Sequence, residues 1–244
     1  MVDPKHTGAA PMLGNACAFS DETLPEPLPA EPLGLFMQWL ELATSRKSQP
    51  NPNAMTLATV GVDGQPSARV VLARRVDVGR GYVVFYSNYH SRKGEEIAGG
   101  GKVALCFHWD QLDRQVRMEG VATMSPPTES DAYFNARPPL SRLAAWASDQ
   151  SRPVASRQEL LDQNHRVEAR FGLGAPGVDV ASVQVPRPPH WGGYRVWLKR
   201  VELWRGHTNR LHDRAVWERS LTPAAVDRAP GFVGGAWAST RLQP

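Results

Sequence analysis

Near the C-terminus of this 244-residue chain, the run Asn209-Arg210-Leu211-His212-Asp213-Arg214 gathers two guanidiniums and an imidazole. On a strand, side chains alternate between faces, so Arg210, His212 and Arg214 are predicted to share one face. A face with that much charge is costly to bury unless it meets an anionic ligand. The imidazole adds a group that can hold or exchange a proton near neutral pH.

Three further clusters point toward anions. Ser91-Arg92-Lys93 falls where a strand gives way to a helix, and free backbone N–H groups with two adjacent cations suit a phosphate there. The competing reading is a solvated basic helix start. Arg69 and Arg74 bracket an otherwise apolar strand, RVVLAR, and either contact a ligand or sit in water at the strand ends. Tyr133 and Arg137, four apart on one predicted helix face, and Ser141 just after the helix break expected at Pro138-Pro139, offer a phenol, a guanidinium and a hydroxyl. They form a second phosphate clamp or an ordinary helix end.

Other chemistries find no residues to carry them. GxSxG, Walker A, GxGxxG and HExxH patterns do not occur. His207 and His212 are five apart across a predicted turn, a poor geometry for paired ligands, so no metal site is expected. Cys17 and Cys106 form neither a CxxC pair nor a disulfide framework, which fits a reducing cytoplasm. A net charge of +4 and a pI near 9.3 favour anionic partners. The basic residues are dispersed, however, so small phosphates are expected rather than nucleic acid. Neither a leader peptide nor the roughly 18 apolar residues of a membrane span is evident. Most of the eight tryptophans read as core or interface residues, with Trp204 the exception to watch.

The elements that must position these clusters follow from periodicity. Residues 1–31, rich in Pro, Gly, Ala and acidic residues, read as a mobile arm, and 32–244 as one globular domain. An apolar stripe through Leu33, Leu35, Phe36, Trp39, Leu40 and Leu42 predicts a helix over 32–46. Strands are expected at 54–62 and 67–73 around an Asp63-Gly64 turn, then at 81–88, 102–109 and 115–124. A short helix capped by Ser91 and stopped by Gly99-Gly100-Gly101 separates two of them. Helices at 128–136 and 156–171 follow, then strands at 194–204, 211–218 and 237–242, with 221–236 as a surface loop insertion. Strands, then helices, then returning strands predict a mainly β fold, an antiparallel barrel with flanking helices.

In order and spacing these motifs resemble the pyridoxamine 5'-phosphate oxidase family from about Leu33 to the closing Arg241-Leu242-Gln243-Pro244. The likeness includes Tyr86-Ser87, Arg114-Gln115-Val116, Gln150-Ser151, Trp191-Gly192-Gly193 and Glu202-Leu203-Trp204 as well as the four clusters. It implies an FMN-binding split β-barrel, a homodimer with FMN in a groove between subunits. By the same resemblance, Arg69, Val70, Val71, Leu72, Arg92, Lys93, Ser151 and Arg214 surround the flavin phosphate and ribityl chain. Tyr86, Ser87, Gln115, Gln150 and Trp204 line the rest. Arg74, Tyr133, Arg137 and Ser141 take the substrate phosphate, and Arg210 and His212 face the substrate ring as the catalytic pair. The implied reaction is oxidation of pyridoxamine or pyridoxine 5'-phosphate, with O2 reduced to H2O2. A related oxidase of secondary metabolism, acting on a phenazine precursor, is the alternative. Two positions depart from the family pattern: Arg74 replaces a usual lysine, and an Arg-x-x-Tyr element is missing before Leu33.

Overall fold

A computed structural model describes residues 22–173, 178 and 183–244. Its first helix, α1 (Leu33–Ser45), buries Leu33, Phe36 and Trp39 of the predicted stripe together with Ala43, while Leu35, Leu40 and Leu42 are half-buried. The rings of Phe36 and Phe107 lie 4.9 Å apart, fastening α1 to the sheet core. Strands β1 (Ala54–Val60) and β2 (Pro66–Leu72) pair antiparallel, and Gly64 takes φ +81 in their connection, as the Asp63-Gly64 signal requires.

Strands β3 (Arg75–Asp77) and β4 (Tyr82–Asn88) lead into α2 (Arg92–Gly100). The Ser91 side chain caps this helix at the Gly94 amide, and Gly101 at φ +67 ends it. Next come β5 (Lys102–Trp109), β6 (Arg114–Met124), α3 (Pro127–Asn135), α4 (Pro139–Ala147) and α5 (Arg157–Arg170). The chain finishes with β7 (Trp191–Arg205), β8 (Asp213–Glu218), β9 (Leu221–Val226), β10 (Ala229–Gly234) and β11 (Ala238–Leu242).

The main sheet runs β11-β8-β7-β6-β5-β1-β2 and forks at β7. Along one flank β7 pairs with β6. Along the other it pairs first with β4, through Trp191 to Trp197, and then with β8, through Arg200 to Arg205. One long strand therefore spans the fold and presents different neighbours at its two ends. This mainly β, split-barrel architecture with flanking helices is the one expected.

Four expectations need correction. Residues 22–31 do not behave as a mobile arm: Leu24 is buried in the core, and Trp217 Nε1 donates to the Pro29 carbonyl at 2.8 Å. Residues 1–21 lie outside those described. Pro138-Pro139 opens a helix, α4, instead of only breaking one, because proline suits the first helical turn. Residues 221–236 form the β9–β10 hairpin, whose Leu221, Val226 and Phe232 pack on Tyr82, Val84 and Trp197. Finally, the last charged run is not all strand: Asn209 and Arg210 take φ +56 and +61 in a 3-10 turn, and β8 begins only at Asp213. Arg210, His212 and Arg214 therefore do not alternate on a single strand face.

Candidate active site

Val70, Val71 and Leu72 of β2, Tyr86 and Ser87 of β4 and Lys93 of α2 enclose a cleft of 320 Å³. Arg74, Tyr133, Arg137, Gln150 and Trp191 complete its wall. Ten of these eleven residues are ones the sequence reading nominated. The eleventh, Trp191, belongs to a quoted motif but was given no role. Its place follows from β4–β7 pairing, which sets Trp191 opposite Asn88 and Gly193 opposite Tyr86.

A stack of aromatic rings forms one side. Tyr86 lies over Tyr133 at 3.8 Å between centroids and 8° between planes, and Trp191 continues the stack 5.6 Å from Tyr86. Glycine at 193 makes room, because a Cβ there would come within 2.6 Å of Ser125 Oγ and 3.0 Å of the Tyr86 ring. Burial pushes the Tyr86 phenol well above its ordinary pKa, so it stays protonated. The guanidinium of Arg137 sits 4.6 Å over the Trp191 ring, and that of Arg74 lies 5.9 Å from the Tyr133 centroid. Arg137 lies just past the end of α3, yet it shares the cleft with Tyr133. One of its nitrogens, Nη1, is buried without a hydrogen-bond partner among the described residues. Burial, opposed by Tyr133 and reinforced by Arg74, lowers its pKa. Ser141, in α4, does not line this cleft.

At the α2 end the cations outnumber the anions. Glu96 is nearly buried and bonds Arg69 at 3.0 Å and Arg92 at 2.8 Å, so one carboxylate serves two guanidiniums. Lys93 Nζ is buried and, among the described residues, bonds only neutral oxygens: Gln150 Oε1 at 2.6 Å, Ser91 Oγ at 3.1 Å and Ser87 Oγ at 3.2 Å. Desolvation, with Arg69 adding repulsion and Glu96 opposing, lowers its pKa to about 8. A buried ammonium with no carboxylate among its bonds is an unfinished ion pair. The two open readings for Arg69 and Arg74 thus divide. Arg69 turns inward onto Glu96, Thr59 and Ser67, whereas Arg74 is exposed at the strand end. Glu96 carried no signal beyond its position four residues from Arg92.

The remaining nominated residues assemble elsewhere. Cross-strand register places Gln115 beside Trp204 and Trp204 beside Arg214. The Trp204 and His212 rings are 4.7 Å apart. Arg214 is not loose in a ligand groove: Nε and Nη2 donate to the buried Glu202 at 3.1 and 2.7 Å. His212 lines a second groove, walled by Leu24, His207 and Asp213 among others. The His207 backbone N–H donates to His212 Nδ1 at 3.1 Å, so that nitrogen is unprotonated and the neutral ring carries its proton on Nε2. Arg210 is exposed on the turn beside it, and Ser151 is exposed at φ +73 next to Gln150.

The two groups hang from opposite ends of one strand, with Trp191 opening β7 and Trp204 one residue from its close. At roughly 3.3 Å per residue, a straight strand would separate them by about 40 Å.

A forked antiparallel sheet of this kind defines the split-barrel class, and solved structures share it. PhzG from Burkholderia lata 383, solved with tetrahydrophenazine-1-carboxylic acid, superposes with a TM-score of 0.76 at 29% identity, covering 92% of this chain and 98% of that one. An FMN-binding protein from Nostoc punctiforme shares the fold at a TM-score of 0.62 and 16% identity, over 88% and 98% of the two chains. Residues 44–171 match the pyridoxamine 5'-phosphate oxidase family model. Residues 191–244 match the pyridoxine 5'-phosphate oxidase C-terminal dimerisation region. The pyridoxine/pyridoxamine 5'-phosphate oxidase of Methylibium petroleiphilum is 47% identical over 215 residues, 88% of this chain and 89% of that protein. That of Thermosynechococcus vestitus is 46% identical over 214 residues, with the same coverage. The chain belongs to the pyridoxamine 5'-phosphate oxidase family, and it is an oxidoreductase. Among the described residues no helix is long and apolar enough to cross a membrane.

Proposed function

We propose that the chain binds FMN between the two subunits of a homodimer and oxidises pyridoxamine or pyridoxine 5'-phosphate to the aldehyde. The observation that carries this reading is the pair of unfinished cations in one cleft, Lys93 at the α2 end and Arg137 against Trp191. Two separate anions are called for, and a flavin phosphate with a substrate phosphate provides them. The residues fit the cofactor: Arg69, Arg92 and Lys93 outnumber Glu96, and α2 adds the positive end of its dipole.

In this reading Lys93, Arg69 and Arg92 hold the flavin phosphate, and Val70, Val71, Leu72, Tyr86, Ser87, Gln150 and Ser151 line the remainder. Arg74, Tyr133 and Arg137 take the substrate phosphate, and Ser141, which does not line the cleft, is left out of this clamp. Gln115, Trp204, Arg210, His212 and Arg214 come from the second subunit, because their own chain holds them at the far end of β7. When bound, the flavin would supply the two-electron redox chemistry, with O2 as terminal oxidant and H2O2 as the reduced product. The chain's residues bind and orient. Arg210 steers the substrate ring, and His212 presents its Nε2 proton as a hydrogen-bond donor while Nδ1 stays engaged by the His207 amide. Overall, the alcohol gives aldehyde and H2O2, and the amine additionally consumes water and releases ammonia.

The likeness to PhzG supports a second reading, a phenazine-precursor oxidase, on the same fold. A substrate panel on FMN-loaded protein, followed by H2O2 release, separates the two. Turnover of the phosphorylated vitamers, with the unphosphorylated ones at least a hundredfold poorer, is the expected result. Turnover of a phosphate-free aromatic acid alone would establish the second reading instead.

A further inference from the structure

The β9–β10 hairpin has no part in the proposed chemistry, yet its tip reaches a buried ion-pair chain that ends at the cleft. Val226 pairs with Ala229, so the turn is Asp227-Arg228, and φ values of +55 and +62 give it the tight geometry of a two-residue hairpin. Asp227 accepts from Arg80 at 2.8 Å and from Arg195 Nη1 at 2.9 Å. Arg195 is only 4% exposed, and its other face donates to Glu129 at 3.2 and 2.6 Å.

Glu129 stands in the first turn of α3. Tyr133, one turn later on the same face, stacks on Tyr86 in the cleft. Glu129 also lies 3.6 Å from Arg75, the neighbour of the cleft residue Arg74. The hairpin, the strand β7 and the helix that carries Tyr133 are thus joined by alternating charges: Arg195 and Glu129 form a buried pair, where contacts are strong and geometry-dependent, and Asp227 meets that pair from the exposed hairpin tip.

We infer that Asp227 is a positioning residue, which acts through Arg195 and Glu129 to set α3, and so Tyr133, against the substrate side of the cleft. The identity of that substrate rests on the function proposed above, whereas the coupling to α3 does not. The hairpin is accordingly a buttress for substrate recognition rather than a passive surface insertion.

The test uses the full-length, FMN-loaded protein with D227A, D227N, D227E and E129Q. Amide hydrogen exchange is read over Pro127–Asn135, with α2 as internal control, and KM, kcat and FMN affinity are measured with pyridoxamine 5'-phosphate. D227A and D227N should speed exchange in α3 at least fivefold and leave α2 unchanged. KM should rise five- to tenfold at constant kcat and FMN affinity. D227E should recover most of the loss, and D227A combined with E129Q should be less damaging than the two separate effects multiplied. Unchanged exchange in α3 would overturn the inference. So would a rise in KM accompanied by an equal loss of kcat and of flavin binding, or a D227E protein no better than D227A. If the parent protein does not turn over the substrate, the functional reading fails and the exchange measurement alone decides the coupling.

Discussion

Lys93→Met should abolish tight flavin binding, weakening FMN by about a hundredfold or more, while making the flavin-free protein more stable. Both effects come from one feature. The Lys93 ammonium is buried among Ser87, Ser91 and Gln150 with no carboxylate bonded to it, and its pKa is lowered to about 8. Truncating one partner of a buried charge pair typically costs 2–5 kcal/mol of binding, roughly thirty- to several-thousandfold. Methionine keeps the apolar stem and removes the charge.

The sign of the pH dependence follows. Lys93 has a lower pKa folded than unfolded, so the unfolded chain binds more protons between pH 8 and the ordinary lysine value. Its destabilising contribution is present in full below pH 8 and is relieved as pH rises through that window. A shift of this size corresponds to about 3 kcal/mol. Thermal unfolding of the flavin-free protein should therefore show a higher Tm for Lys93→Met at pH 7 and a shrinking difference above pH 8. FMN affinity of the parent should fall over the same range, because binding a phosphate then requires uptake of a proton. An affinity unaffected by the substitution would remove Lys93 from the cofactor site.

Arg137→Ala should leave FMN affinity within about twofold and raise KM for pyridoxamine 5'-phosphate by about a hundredfold. Arg137 is held over Trp191 and keeps a buried Nη1 without a protein partner, so a donor is already aimed and desolvated. Arg137→Lys should recover only part of the loss, since an ammonium cannot reproduce the planar fork stacked on an indole. Steady-state H2O2 release against substrate concentration checks both variants. A fall in kcat at constant KM would place Arg137 at the reacting end instead.

Much of the cleft was legible because its signals are local. Ser91 and Gly101 bound α2, and Asp63-Gly64 marks the β1–β2 turn. Tyr133 and Arg137 needed only their spacing to be brought together. What stayed hidden depends on tertiary contacts or on backbone that the side chains do not announce. Leu24 looks like part of a polar arm until the core receives it. Asn209 and Arg210 adopt left-handed φ without a glycine, so the alternation that suggested one charged strand face is broken before Asp213. Prolines and glycines in 221–236 read as a loop, although Phe232 and Val226 pack that stretch onto Trp197. Glu96 escaped notice because the cations around it drew the reading, and its function is to balance two of them.

The run from Arg210 to Arg214 is divided from the cleft by the length of β7, and the proposal reunites them only across two subunits. Mixing Arg137→Ala with Arg210→Ala subunits tests that directly. Each variant alone should oxidise pyridoxamine 5'-phosphate poorly. After subunit exchange, half of the dimers are mixed, and each mixed dimer has one site with both arginines intact. H2O2 release at saturating FMN should then return to about a quarter of the parent's. No recovery, in a mixture shown to have exchanged subunits, would contradict an active site built from both chains.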